Sequence, residues 1–115
     1  MVEIMINEEA NKVVSVSERQ LQKLITDYIK LALPGYWYRN NIGGLGQRRG
    51  IPDLEVMYRG QPYFIEVKTS RGRLSRYQQS EIAWLRKNDI PVCIARSLND
   101  VVEFFDSVSI QVELF

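Results

Sequence analysis

The sequence has no histidine and a single cysteine, Cys93. Without these residues neither a Ser-His-Asp hydrolase nor a Cys/His zinc site can be built. Cys93 lies in "PVCIAR" among strand-forming residues, so it reads as a buried thiol in a reducing compartment rather than as a nucleophile. The chain also lacks any run of eighteen apolar residues, and its start, "MVEIMINEEANK", has neither the basic opening nor the long apolar segment of a secretory signal. A soluble, cytoplasmic protein without membrane contact is expected. At 115 residues and 45% hydrophobic, one compact domain over 1–115 with one site is the expected scale.

Net charge is nearly absent at +1, but it is unevenly distributed. Residues 39–76 carry eight Lys/Arg (Arg39, Arg48, Arg49, Arg59, Lys68, Arg71, Arg73, Arg76) against Asp53, Glu55 and Glu66, a net of +5 that leaves the remainder at −4. A basic middle on an acidic remainder suggests a face for a polyanion, although such clusters are often only solvated surface.

Residues 1–14 show little periodicity and read as an arm or a short strand. From Ser17, "SERQLQKLITDYIKLAL" has a Ser cap with Gln20 three residues on and an apolar stripe of Leu21, Leu24, Ile25, Tyr28 and Ala32, which predicts a helix ended by Pro34-Gly35. "YWYR" has strand composition, and "NNIGGLGQRRG" predicts a mobile loop. Strands at 53–58 and 62–68, joined at Arg59-Gly60, a helix at 75–88, a strand at "IPVCIA", a short helix at "LNDVVEFFDS" and a last strand at "SIQVELF" complete the reading. This order predicts an α/β fold with a mixed central sheet flanked by helices: a meander first, then a parallel crossover through the second helix.

Strand side chains alternate faces, so Phe64, Glu66 and Lys68 share one face and Tyr63, Ile65 and Val67 the other. A two-residue turn at Arg59-Gly60 pairs Val56 with Tyr63, Leu54 with Ile65 and Asp53 with Glu66, whereas a four-residue loop sets Asp53 opposite Lys68. Either register gathers Asp53, Glu66 and Lys68 at one end of one face. Two close carboxylates repel, and a hard divalent cation relieves the repulsion. Magnesium takes one or two carboxylates and keeps waters, which leaves positions for a phosphate oxygen and an attacking water. The competing reading is a solvated, salt-bridged side of an antiparallel ribbon.

The pattern "PDLEV" followed by "FIEVK" resembles the PD-(D/E)XK nuclease superfamily. The longer arrangement, from "YRNNIGGLGQRRGIPDLEV" through "YFIEVKTSRGRLSRYQQSEIAWL" to "IPVCIARSLNDV", resembles a virus-type replication-repair nuclease (VRR-NUC) domain over about residues 17–105. The resemblance implies a restriction-endonuclease-like core, with Asp53, Glu66 and the Val67 carbonyl as ligands of Mg2+ or Mn2+ and Lys68 as the catalytic lysine. It also implies that Glu18 is directed toward the metal site and that Gln78 contacts the water or substrate. Each of these last two has an alternative: an acid in a first helical turn is favoured by the helix dipole, and Ser75-Arg76-Tyr77-Gln78 spells a capping box. Glu55 shares the parity of Asp53 but lies deeper, and is expected to take no part. Arg48, Arg49, Arg71, Arg73 and Arg76 are expected on DNA phosphates, reading shape rather than sequence. Tyr36, Trp37 and Tyr38 read first as core.

The implied activity is a structure-selective endonuclease on branched DNA such as four-way junctions, in DNA repair, from a phage or bacterium, with a homodimer presenting two sites. A flap or nicking nuclease acting as a monomer, a sequence-specific restriction-type nuclease and a non-catalytic nucleic-acid-binding module are the rivals.

Overall fold

The structure is a computed structural model and describes residues 4–7, 12–33, 37–41, 49–108 and 110. In chain order the elements are β1 (Ile4–Asn7), β2 (Lys12–Ser15), α1 (Glu18–Ala32), β3 (Trp37–Asn40), β4 (Leu54–Tyr58), β5 (Gln61–Val67), α2 (Arg76–Lys87), β6 (Val92–Ala95) and α3 (Leu98–Ser107). The strands β3-β4-β5-β6 form one sheet, antiparallel up to β5 and parallel between β5 and β6, while β1 and β2 pair antiparallel as a separate ribbon. The mixed sheet and the crossover through α2 are as the sequence predicts.

The register follows from one turn. Arg59 and Gly60 both take positive φ, 50° and 78°, which is the backbone that matches strand twist in a two-residue hairpin. Tyr58 therefore pairs with Gln61, Val56 with Tyr63 and Leu54 with Ile65. Of the two registers open in the sequence, this is the one that leaves Asp53 facing Glu66.

Alternation then divides the sheet between two cores. Leu54, Val56, Tyr63, Ile65, Val67, Cys93 and Ala95 pack against Leu21, Ile25 and Ile29 of α1 and Val101 and Phe105 of α3. On the opposite face Phe64, Val92 and Ile94 meet Ile82 and Leu85 of α2, with Leu74 and Ile90 at the margin. The result is a sheet between helices. Ser17, Ser75 and Ser97 each cap a helix, the first two in full capping boxes with Gln20 and Gln78. Removal of such a cap costs roughly 0.5–2 kcal/mol.

The predicted stripe of α1 is rotated in the structure. Leu24 is exposed and Tyr28 only partly buried, while Ile29, omitted from that stripe, is 1% exposed. Seven of the twelve positions from Leu21 to Ala32 are apolar or aromatic, more than one sheet face can cover, and the sheet selects Leu21, Ile25, Ile29 and Ala32. Residues 42–48 of the predicted mobile loop, Arg48 among them, the predicted helix stop at Pro34-Gly35, Tyr36 and most of "SIQVELF" lie outside the described residues. Among the described residues no helix is long and apolar enough to cross a membrane. Cys93 is buried, and burial pushes its thiol up to about 12, so it stays protonated and inert.

Candidate active site

The site is built where β4 enters the sheet and β5 leaves it. Pro52 is fully buried and its carbonyl accepts from Asn41 Nδ2 at 3.0 Å, while the Asn41 N–H donates to the Asp53 carbonyl at 2.7 Å. This clasp fixes the backbone just before β4. The Asp53 side chain then accepts from the Val67 N–H at 2.8 Å through Oδ2. Within a strand the N–H and C=O of one residue point to the same edge, so the Val67 carbonyl faces the side on which Asp53 lies.

Glu66 is 1% exposed. Its Oε2 accepts from Gln78 Nε2 at 2.9 Å and lies 3.9 Å from Lys68 Nζ. Its Oε1 is buried and has no hydrogen-bond partner among the described residues. Burial, followed by repulsion from the Asp53 carboxylate, pushes the Glu66 carboxyl up to about 8; Lys68 and the Asp53 backbone amide pull it down, and Glu18 adds a weaker upward push. The Asp53 carboxyl is also raised, first by burial, against the Val67 N–H and Lys68. Two neighbouring acids that burial holds back from ionising are relieved by a cation or a shared proton.

Gln78 forms the predicted capping box and, in addition, bonds Glu66. Its Oε1 accepts from the Ser75 N–H at 2.8 Å, completing the capping box, and its Nε2 holds Glu66. The amide is thus oriented by the helix start, so that only the donor end faces the carboxylate. Lys68 is held from its own loop: its N–H donates to the Ala95 carbonyl at 2.9 Å, and the turn that follows is closed by Arg96, whose Nη1 donates to the carbonyls of Thr69 and Gly72, both at 2.7 Å. Asp100 Oδ2 accepts from the Arg96 N–H at 2.8 Å.

The structure therefore brings Asp53, Glu66, Lys68 and Gln78 together. Glu18 stands exposed at the start of α1 and reaches the site through its electrostatic effect on Glu66. Glu55 is buried one pleat deeper than Asp53. Arg71, Arg73 and Arg76 are exposed on the segment leading into α2, and Arg49 lies against Tyr77 of α2, donating to its hydroxyl at 3.0 Å.

Asn41, Gly50 and Arg96 were not singled out in the sequence. Gly50 has φ of +83°, and a Cβ there would lie 2.3 Å from the Tyr77 carbonyl oxygen and 2.7 Å from the Gln78 nitrogen. The loop before Asp53 can approach the first turn of α2 only as glycine. A "GIPD" string is compatible with this contact but does not encode it.

The donor set fits a hard cation. Among the described residues no three His, Cys, Asp or Glu side chains converge as a metal cage, and the available donors are two carboxylates and a backbone carbonyl. Magnesium uses that complement and retains water, whereas structural zinc requires four protein ligands. The unpartnered Glu66 Oε1 is the atom such a cation would satisfy.

Neither curated proteins nor solved structures give a match to this chain. The sequence model of the VRR-NUC domain does match, over residues 6–99, from β1 into the first turn of α3. With that span covering most of its length, the chain belongs to the VRR-NUC domain family.

Proposed function

We propose that this protein is a metal-dependent, structure-selective endonuclease with a restriction-endonuclease-like PD-(D/E)XK core, hydrolysing phosphodiester bonds in branched DNA such as four-way junctions. Family membership supplies the nuclease class and DNA as substrate. The observation that carries the finer reading is Glu66: a carboxylate in the sheet interior, one oxygen unpartnered and a second acid beside it. A merely structural ion pair would leave neither feature, since an unsatisfied buried charge costs more than the pair returns.

Asp53, Glu66 and the Val67 carbonyl would hold Mg2+ or Mn2+. When bound, that ion supplies Lewis acidity, lowering the pKa of a water and offsetting charge on the phosphate. Gln78 keeps the Glu66 carboxylate in one rotamer. Lys68, 14% exposed and 3.9 Å from Glu66 Oε2, provides a positive charge beside the reacting phosphate and can take up or hold a proton of the nucleophile. Arg48, Arg49, Arg71, Arg73 and Arg76 bind the phosphate backbone, a contact that positions DNA without reading bases. Each chain carries one such cluster and a junction needs cuts in two strands, so a two-fold homodimer is the matching assembly.

The test is a panel of labelled junction, flap, duplex and single-stranded DNAs with Mg2+ or Mn2+, run beside Asp53→Ala. Junction cleavage that disappears in the variant and in chelator supports the proposal. Equal cutting of all four substrates would defeat the structure selectivity, and cleavage unaffected by Asp53→Ala would defeat the site. Light scattering at micromolar protein tests the homodimer, and a strict monomer would reassign the activity to a flap or nicking nuclease.

A further inference from the structure

Tyr77 is the second residue of α2, immediately before Gln78, and its side chain remains exposed at 44%. The Arg49 guanidinium carbon lies 5.0 Å from the ring centroid and that of Arg76 at 5.7 Å. Arg49 also donates to the ring hydroxyl at 3.0 Å. Among the described residues neither guanidinium is ion-paired with a carboxylate. Two cations with no carboxylate partner among the described residues, set against one half-exposed aromatic ring, suit an anion that also carries a flat apolar surface.

The backbone beneath the ring is fixed. Gly50 packs its α-carbon onto the Tyr77 carbonyl so closely that no side chain fits between them, which holds Arg49 against the ring, and the capping box at Ser75 fixes the helix turn from which the ring projects.

From these observations, and resting on the DNA reading above, we propose that Tyr77 is a stacking site for an unpaired nucleobase of the DNA substrate, with Arg49 and Arg76 on the phosphates that flank that base. Each base has a π face, so stacking is tolerant of sequence while requiring a base free of its duplex stack. A branch point or flap offers such a base, and the interior of a duplex does not. Because Gln78 is the next residue and holds Glu66, a base on Tyr77 sets the register of the strand against the two carboxylates. Tyr77 thereby gives the enzyme a physical means of choosing branched over linear DNA.

The experiment uses the full chain in EDTA, so that neither metal nor cleavage enters, and forked DNA carrying 2-aminopurine at successive positions around the branch. Stacking on tyrosine quenches the fluorescence at one position. Tyr77→Phe keeps the quench. Tyr77→Ser abolishes it and weakens forked-DNA binding by roughly tenfold, within the range for loss of one stacked base, with duplex binding unchanged. Tyr77→Trp, with a larger ring, keeps the quench and binds forked DNA at least as tightly as the parent, and it covers the case in which the serine variant is poorly folded by circular dichroism. The proposal is overturned if Tyr77→Ser matches the parent in quench and forked-DNA affinity, or if Tyr77→Trp binds like a folded Tyr77→Ser. Parent protein that binds DNA without quenching at any position removes the stacking site and leaves the nuclease reading intact; parent that binds no DNA either in EDTA or with Ca2+ in its place removes both.

Discussion

Replacing Glu66 by glutamine should stabilise the metal-free protein at alkaline pH. The side chain is 1% exposed and its carboxyl is pushed from an ordinary 4.5 up to about 8 by burial and by Asp53. A carboxyl whose folded value is raised binds its proton more tightly in the folded state. Its contribution to stability is complete below about pH 4.5 and is lost as pH rises through about 8. At about 1.4 kcal/mol per pH unit, ionising Glu66 in the apo protein costs on the order of 3–5 kcal/mol at pH 8.5. Glu66→Gln keeps the shape, retains an oxygen for Gln78 and removes that loss. With about 4 °C of melting temperature per kcal/mol in a domain of this size, the variant should melt on the order of 10 °C above the parent at pH 8.5 in EDTA and close to it at pH 5. Magnesium should narrow the gap at pH 8.5 by raising the parent alone. Thermal unfolding followed by circular dichroism at the two pH values reads the result. A variant no more stable than the parent at pH 8.5, or a parent whose stability does not fall between pH 5 and 8.5, would refute the assignment of Glu66 as a buried, uncompensated acid.

Lys68→Met should retain metal-dependent stabilisation while losing about 10²- to 10⁴-fold in turnover, the range for a positioned proton-transfer group; full turnover in a preparation free of contaminating nuclease would remove the lysine from the chemistry. Gly50→Ala introduces a Cβ 2.3 Å from the Tyr77 carbonyl at φ +83°, and should cost roughly 2–4 kcal/mol and lower cleavage by moving Gln78; a melting curve like the parent's would show that the loop does not contact α2. Replacing Arg48 and Arg49 together should lower the slope of log affinity against log salt by about two, and an unchanged slope would take them off the DNA path. Arg96→Met leaves two carbonyls without their charged donor, a loss of about 1.5–3 kcal/mol, and should reduce turnover through Lys68, with Arg96→Lys partly restoring it; turnover equal to the parent's would show that the 69–72 turn does not position the lysine.

The two halves of the site were legible for different reasons. Asp53, Glu66 and Lys68 could be placed on one face because strand parity is fixed by a period of two and the turn at Arg59-Gly60 is short enough to count across. Two of the helix starts were readable because a capping box is local, as at Ser17-Gln20 and Ser75-Gln78. Rotation of the α1 stripe was not, because Leu24 and Ile29 are chemically interchangeable there and only the shape of the sheet distinguishes them. Asn41, Gly50 and Arg96 were illegible for a stronger reason: each acts across a tertiary contact, 11, 27 and 24–27 residues away along the chain, with no periodic signal in the sequence. Even the bond between Gln78 and Glu66 required the fold, since the sequence offered a cap or a contact with water or substrate, and the structure shows the cap together with a contact to the carboxylate.

That double use explains how a strand can carry Glu66 next to Ile65 and Val67, all three at or below 1% exposure. The inner part of the α2 face is apolar, with Phe64 against Ile82 and Leu85. Two residues on, the same face leaves the apolar core beneath the first turn of α2, where the Gln78 side chain replaces hydrocarbon. A carboxylate is tolerated there because one oxygen is bonded, Lys68 is near and the helix start favours negative charge, yet it is not fully satisfied, because among the described residues Oε1 has nothing to accept from. Stability and function therefore pull apart at this one atom. Glutamine at this position would make the apo fold more stable, and retaining an acid instead makes sense only if a ligand from outside the chain completes it.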